Sequence, residues 1–261
     1  MPLDIADLDV GYGAKKVVDG AALHIAEREI VTVIGANGVG KTTLLKGLFG
    51  ILRPQRGSIR WNGKEICGRS PAANVRDGIT YSPQGAPVYR SLTVSDNLAL
   101  AGAALGDRRL VRANSVRVLE LFPILGQRRS QRAGMLSGGE RQMLSLAAAL
   151  IPSPRLIMLD EPSGGLAPIV VESAFNTIRQ VVDGFGTAVL LVEQNLQQSF
   201  AIADRAYVMA GGRIVTSGTP AELEGQADFR EQYFGAAPPS ISSPPTEAAY
   251  QAAPRQKEPS Q

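Results

Sequence analysis

The chain reads as an α/β domain with a mostly parallel core sheet, an antiparallel β annex and a helical subdomain. Short apolar runs at 30–34, 156–159 and 188–192 each lead into a polar or glycine-rich loop, with helix-like segments between them. Such fully apolar runs, alternating with helices, mark parallel strands covered on both faces. Two hairpin signals stand outside that alternation. Asn62-Gly63 in "SIRWNGKEI" and Gly211-Gly212 in "YVMAGGRIV" supply the paired positive-φ positions of a tight turn, and both point to an antiparallel annex. The middle, 91–151, reads as helical. Thr93 with Asp96 forms a capping-box start, and "NSVRVLELF" sets Val116, Leu119 and Phe122 on one helical face.

The organised part extends over 1–235. From 236 to 261 the chain holds six prolines among Ser, Ala and Gln with little to bury, which predicts a disordered tail. A hydrophobic share of 44% supports a sizeable core. The net charge of +3 comes from 27 basic and 24 acidic residues, a near-balance that speaks against nucleic acid as a partner. The single cysteine, Cys67, excludes an internal disulfide and fits a reducing, cytoplasmic setting. No apolar run is long enough to span a bilayer. Any work at a membrane must then pass through partners.

"GANGVGKTT", 35–43, fits the phosphate-loop pattern with Gly35, Gly40, Lys41 and Thr42 in the required places. It follows one apolar run and precedes a helix carrying Leu44, Leu45 and Leu48 and closed by Gly50. Backbone N–H groups of Gly35, Ala36, Asn37, Gly38, Val39, Gly40, Lys41, Thr42 and Thr43 would cradle phosphate oxygens. Lys41 would add charge at the β- and γ-phosphates, and the Thr42 hydroxyl would ligate Mg²⁺. "LIMLDEP", 156–162, ends a buried strand in two acids. Asp160 suits Mg²⁺, and Glu161 suits a general base for a water behind the γ-phosphate; capping of the next helix is the plainer alternative. "LSGGERQ", 136–142, pairs Ser137 with Glu140 as a capping box and leaves Gly138 and Gly139 bare at a helix N-terminus, where anions bind.

In chain order, "GANGVGKT", "YSPQ" at 81–84, "LSGGERQ" and "LIMLDEP" resemble the motifs of ATP-binding cassette ATPases over nearly the whole organised chain. The resemblance implies a P-loop NTPase fold, ATP as substrate and Mg²⁺ as cofactor. Tyr12, in "GYG", matches the aromatic that stacks on adenine, although a solvent-side strand tyrosine would look the same. Gln84 matches the glutamine that senses Mg²⁺ and the γ-phosphate. Ser137, Gly138, Gly139 and Glu140 would close over ATP held by a second subunit. Ser163-Gly164-Gly165-Leu166 matches the loop at that dimer seam, with Ala167 where the family usually has an acid. The position that usually carries a γ-phosphate histidine is Gln194, which can donate a hydrogen bond but cannot become charged. His24, the only histidine, alternates with Leu23 and Ile25 and is a strand residue facing away from them.

"SGGLAP", "LVEQN" and "LTVSDNLALAG" are similar to the LivF-type ATPase subunit of branched-chain amino-acid importers, a branch in which glutamine at position 194 is usual. Pro83-Gln84-Gly85 departs from the Pro-Glu-Gly often found there. The implied partners are two transmembrane permease subunits, a second ATPase (a LivG-type sister or another copy) and, indirectly, a periplasmic solute-binding protein. The implied place is the inner face of the cell membrane, with docking over about 84–98 and the loop before Ser137. Importers of urea, amides or aromatic acids are the alternative. A non-transport cassette ATPase would bring coiled-coil, zinc or tandem additions, and a GTPase an Asn-Lys-x-Asp motif; neither occurs. Arg108, Arg109, Arg112, Arg128, Arg129 and Arg132 read as a solvated face, Cys67 as inert and Trp61 as packing.

Overall fold

The computed structural model describes residues 3–85, 87–226 and 229. The expected tail at 236–261 lies outside them. The central sheet comprises β3 (Ile30–Ile34), β6 (Ile79–Ser82), β7 (Leu156–Asp160), β8 (Ala188–Glu193), β9 (Arg205–Ala210) and β10 (Arg213–Gly218), in the order β10-β9-β3-β8-β7-β6. β6, β7, β8, β3 and β9 run parallel, and β10 returns antiparallel on β9. The apolar runs are buried on both faces. Along β7, Leu156 and Met158 enter one core while Ile157 and Leu159 enter the other, and β8 divides in the same way.

One core lies between this sheet and a second, antiparallel one of β1 (Leu3–Tyr12), β2 (Lys15–Ile25), β4 (Arg56–Trp61) and β5 (Lys64–Glu65), in the order β2-β1-β4-β5. α1 (Lys41–Phe49) contributes Leu44, Leu45, Leu48 and Phe49 to it. The Asn62-Gly63 turn has φ values of 49° and 76°, as the hairpin signal requires. The second hairpin corrects the sequence expectation. Gly211-Gly212 does turn β9 into β10, but β9 pairs parallel with β3, so this hairpin extends the core sheet rather than joining the annex. β9 lies between β3 and β10, and its four inner residues, from Ala206 to Met209, are all buried, as befits an inner strand of the core sheet.

α2 (Pro71–Arg76) precedes β6. Between β6 and β7 the chain is helical: α3 (Val94–Ala101), α4 (Arg108–Leu121), α5 (Pro123–Gln127) and α6 (Gly138–Leu150). With α7 (Pro168–Phe185) they supply much of the second core. α8 (Leu196–Ile202) and α9 (Pro220–Glu224) complete the order. The Thr93–Asp96 capping box forms as expected. The α4 stripe does not: Val111, Asn114, Val118 and Leu119 are buried, followed by Phe122, whereas Val116 is 49% exposed. At about 100° per residue, Val116 points away from Val111 and Phe122. Trp61 is buried and its indole N–H donates to the Asp77 carbonyl, a packing role. His24 lies on β2 with Nδ1 2.6 Å from Asp4 Oδ1, off the buried face of Leu23 and Ile25. Among the described residues no helix is long and apolar enough to cross a membrane.

α1 approaches the annex closely at Gly47, where a Cβ would lie 2.6 Å from Val10 Cγ2. Gly47→Ala should therefore cost about 1–3 kcal/mol by overpacking, measured by urea unfolding. Adding Val10→Ala should return part of that loss; purely additive losses would show that the contact is not the cause.

Candidate functional site

Parallel strands put their carboxyl ends on one side of the sheet, where open α/β folds bind ligands. Here Ile34 pairs with Glu193 and Asp160 with Val192, so β3, β7 and β8 end at nearly one level. The phosphate loop leaves β3 at Gly35, where a Cβ would fall 2.2 Å from the Met209 carbonyl oxygen; only glycine fits against β9. Ala36, Asn37 and Gly38 are exposed, Val39 is half-buried, and Gly40, at φ 112°, turns the chain into α1. The first residue of that helix is Lys41, 4% exposed, and its ammonium donates to the carbonyls of Gly35 (2.8 Å) and Ala36 (3.0 Å). Glu161 Oε1 stands 3.8 Å away. Burial holds the Lys41 pKa below the usual lysine value, while Glu161, Glu193 and Asp160 pull it back up.

Asp160 is buried and both its oxygens are engaged. Oδ1 accepts from the Thr42 hydroxyl and Oδ2 from the Tyr81 phenol, each at 2.8 Å. Tyr81 was not among the sequence candidates. Its only signal is its place in "YSPQ", three residues before Gln84, on the strand next to β7. Burial, and then the Asp160 charge, push its phenol pKa far up, which keeps it a donor. Glu161 follows at φ 47°, a left-handed backbone that costs a non-glycine residue about 1–2 kcal/mol. Its N–H donates to the Val192 carbonyl at 2.8 Å, and its Oε2 accepts from Gln84 Nε2 at 2.7 Å. Lys41, Thr42, Gln84, Asp160 and Glu161 thus form one connected cluster.

Gln194, just beyond β8, is exposed, and Thr43 is buried behind the loop. Sequence reasoning passed over Glu193. That carboxylate is 1% exposed and accepts from the Ser163 and Gln194 N–H groups. Burial raises its pKa. The sequence shows only an acid at the end of an apolar run, which reads equally well as a helix cap.

Elsewhere, Ser137 and Glu140 close the capping box at the start of α6. Arg128 departs from the solvated-face reading, since its guanidinium donates to Glu140 Oε2 at 3.1 Å and braces that turn. The two glycines differ. A Cβ on Gly138 would meet only the end of Arg141, whereas one on Gly139 would lie 2.4 Å from Val170 Cγ1 on α7. Tyr12 is 48% exposed at the end of β1. Cys67 is half-buried and its thiol pKa is raised, as an inert cysteine's would be.

Gly139→Ala should destabilise the chain on its own by about 1–3 kcal/mol of overpacking and so lower its melting temperature, while Gly138→Ala does not lower it; thermal unfolding without nucleotide separates them. Tyr81→Phe removes one hydrogen bond to a buried carboxylate and should cost about 1.5–3 kcal/mol, read from denaturant midpoints.

A family model described as "ABC transporter" matches residues 18–164. The chain is 44% identical to the high-affinity branched-chain amino acid transport ATP-binding protein BraG of Pseudomonas aeruginosa, covering 86% of this chain and 95% of that one. It is 37% identical to a probable branched-chain amino acid transport ATP-binding protein, LivF, of Archaeoglobus fulgidus, over 87% and 96%. The fold superposes on a nucleotide-free ATP-binding cassette from an ABC transporter with a TM-score of 0.80, at 25% identity, covering 90% of this chain and 99% of that one. Sequence, family model and fold agree over most of the length, and the chain is a member of the ABC transporter ATP-binding family, a nucleotide-binding ATPase.

Proposed function

We propose that this chain is the ATP-hydrolysing subunit of an importer for branched-chain or other hydrophobic amino acids. The observation that carries the ATPase part is the cluster at the strand ends, where Lys41 lies 3.8 Å from Glu161 and Thr42 2.8 Å from Asp160. The amino-acid part rests on the functions named for the two relatives.

In this reading residues 35–43 hold the phosphates, Lys41 neutralises the β- and γ-phosphate charge, and Tyr12 packs on the base. For magnesium the residues fit. The hydroxyl of Thr42 and the carboxylate of Asp160 are hard oxygen donors already side by side, with the Gln84 amide next to Glu161. Bound magnesium would screen phosphate charge. Glu161 accepts the proton of the attacking water; Gln84 orients it through their shared hydrogen bond. Gln194 donates its amide to a γ-phosphate oxygen without changing charge. Ser137, Gly138, Gly139 and Glu140 face the ATP of a second ATPase, itself or a sister. The chain sits at the inner face of the membrane by docking, over about 84–98 and the loop before Ser137, on two permease subunits served by a periplasmic solute-binding protein.

Glu161→Gln should keep ATP binding and lower turnover by about 10²–10⁴-fold. Gln194→Ala should slow turnover by up to about 100-fold, with Gln194→His tolerated. ATPase assays of the purified chain, alone and mixed with its sister subunit, check both. Near-normal hydrolysis by Glu161→Gln would remove it from the base role. Loss of leucine uptake on deletion, restored by the wild-type chain and not by Glu161→Gln, tests the cargo.

A further inference from the structure

Glu193 is a buried carboxylate that the reaction outlined above does not use. It ends β8, is 1% exposed, and no lysine or arginine nitrogen lies within ion-pair distance of it among the described residues. Burying a charge without a cation is costly unless hydrogen bonds replace the lost water. They do. Oε1 accepts from the Ser163 N–H at 2.9 Å, while Oε2 accepts from the Ser163 hydroxyl (2.9 Å), the Gln194 N–H (3.1 Å) and the Asn195 N–H (3.3 Å).

A plain helix-capping role is already filled. Asn195 is the N-cap of α8 and its side chain accepts from the Gln198 N–H. Glu193 instead reaches across to another loop. Ser163 lies two residues beyond Glu161 in a turn closed by Gly164 N–H to Glu161 O (3.0 Å) and Leu166 N–H to Ser163 O (3.2 Å). That turn begins with the left-handed Glu161, a conformation that persists only where the surroundings hold it. Its restraints come from neighbouring residues of one strand, the Val192 carbonyl at Glu161 N–H and the Glu193 carboxylate at Ser163.

We propose that Glu193 is a positioning residue, whose carboxylate fastens the 161–166 turn carrying Glu161 to the backbone of residue 194. One oxygen, Oε2, serves both sides, so Ser163 and the Gln194 N–H are joined through a single carboxylate oxygen. The general base and the γ-phosphate donor are then set relative to each other by a single group. This rests on the reading that Glu161 and Gln194 act in hydrolysis.

The test uses the full chain with whichever ATPase partner supports turnover, and compares Glu193→Gln, Ser163→Ala and the double variant, with Glu161→Gln and Gln194→Ala alongside. In Glu193→Gln an amide NH₂ replaces one acceptor, so at nearly constant volume either the Ser163 N–H or the N–H groups of residues 194 and 195 lose their partner and one group no longer holds both sides. Turnover should fall at least about tenfold, with the KM for ATP within about twofold. Ser163→Ala should fall less, since its N–H still donates to Oε1, and the double variant no further than Glu193→Gln, because the hydroxyl bond it removes ends on that same carboxylate. Normal turnover in Glu193→Gln, multiplying losses in the double variant, or a KM that rises as kcat falls would each overturn the proposal while Glu161→Gln and Gln194→Ala stay impaired. If Glu193→Gln does not fold, Ser163→Ala decides, since its turnover within about twofold of wild type would sink the idea. Normal hydrolysis by Glu161→Gln or Gln194→Ala would instead remove the reading beneath it, and the proposal with it.

Discussion

The Lys41 ammonium donates to two carbonyls of its own loop while three carboxylates, Asp160, Glu161 and Glu193, act on it from the ends of β7 and β8. That concentration of charge sits where strands end together, and each acid there has a hydrogen-bond donor. Asp160 is answered by Thr42 and Tyr81, Glu161 by Lys41 and Gln84, and Glu193 by Ser163 and the following backbone. Removing any one donor leaves a buried or half-buried oxygen exposed to the others' negative charge, so the cluster behaves as a unit.

The remainder of the fold serves that meeting point. Strands buried on both faces hold β3, β7 and β8 in register, and α1 is clamped from the annex side at Gly47. On the other face, the segment after Gln84 is tied to the segment before Ser137 by backbone bonds: Val94 N–H to Gln131 O, Ser95 N–H to Arg129 O, Ala133 N–H to Leu92 O and Gly134 N–H to Arg90 O. These bonds end just before α6, where Arg128 and the capping box hold Glu140. This gives a physical route between the face proposed for docking and the turn proposed to meet the partner's ATP.

Contiguous features were legible in the amino-acid order. The phosphate loop, the paired acids at the end of β7 and both capping boxes depend on neighbours within a few residues, and each lies where its spacing placed it. Features that depend on rotation or on distant partners were not. Val116 has the right residue type but the wrong angle on α4, and the Gly211-Gly212 turn signals a hairpin without saying which sheet receives it. Gly139 was read as a bare amide for an anion, and its closest constraint within the chain is Val170, more than one element away.

By itself the sequence determined an α/β phosphate-binding cassette and its chemical inventory, because glycine conformations, capping boxes and strand periodicity act over short stretches of chain. Only the tertiary structure decided which acids share a cation, that Tyr81 fills the second oxygen of Asp160, and that Glu193 turns inward to Ser163 rather than capping α8. These are contacts among neighbouring strands and the turns and helix at their ends, which are separated by tens of residues in the chain. Hydrogen-bond partnership across that separation is set by sheet order and register, which leave no local mark in the residues themselves.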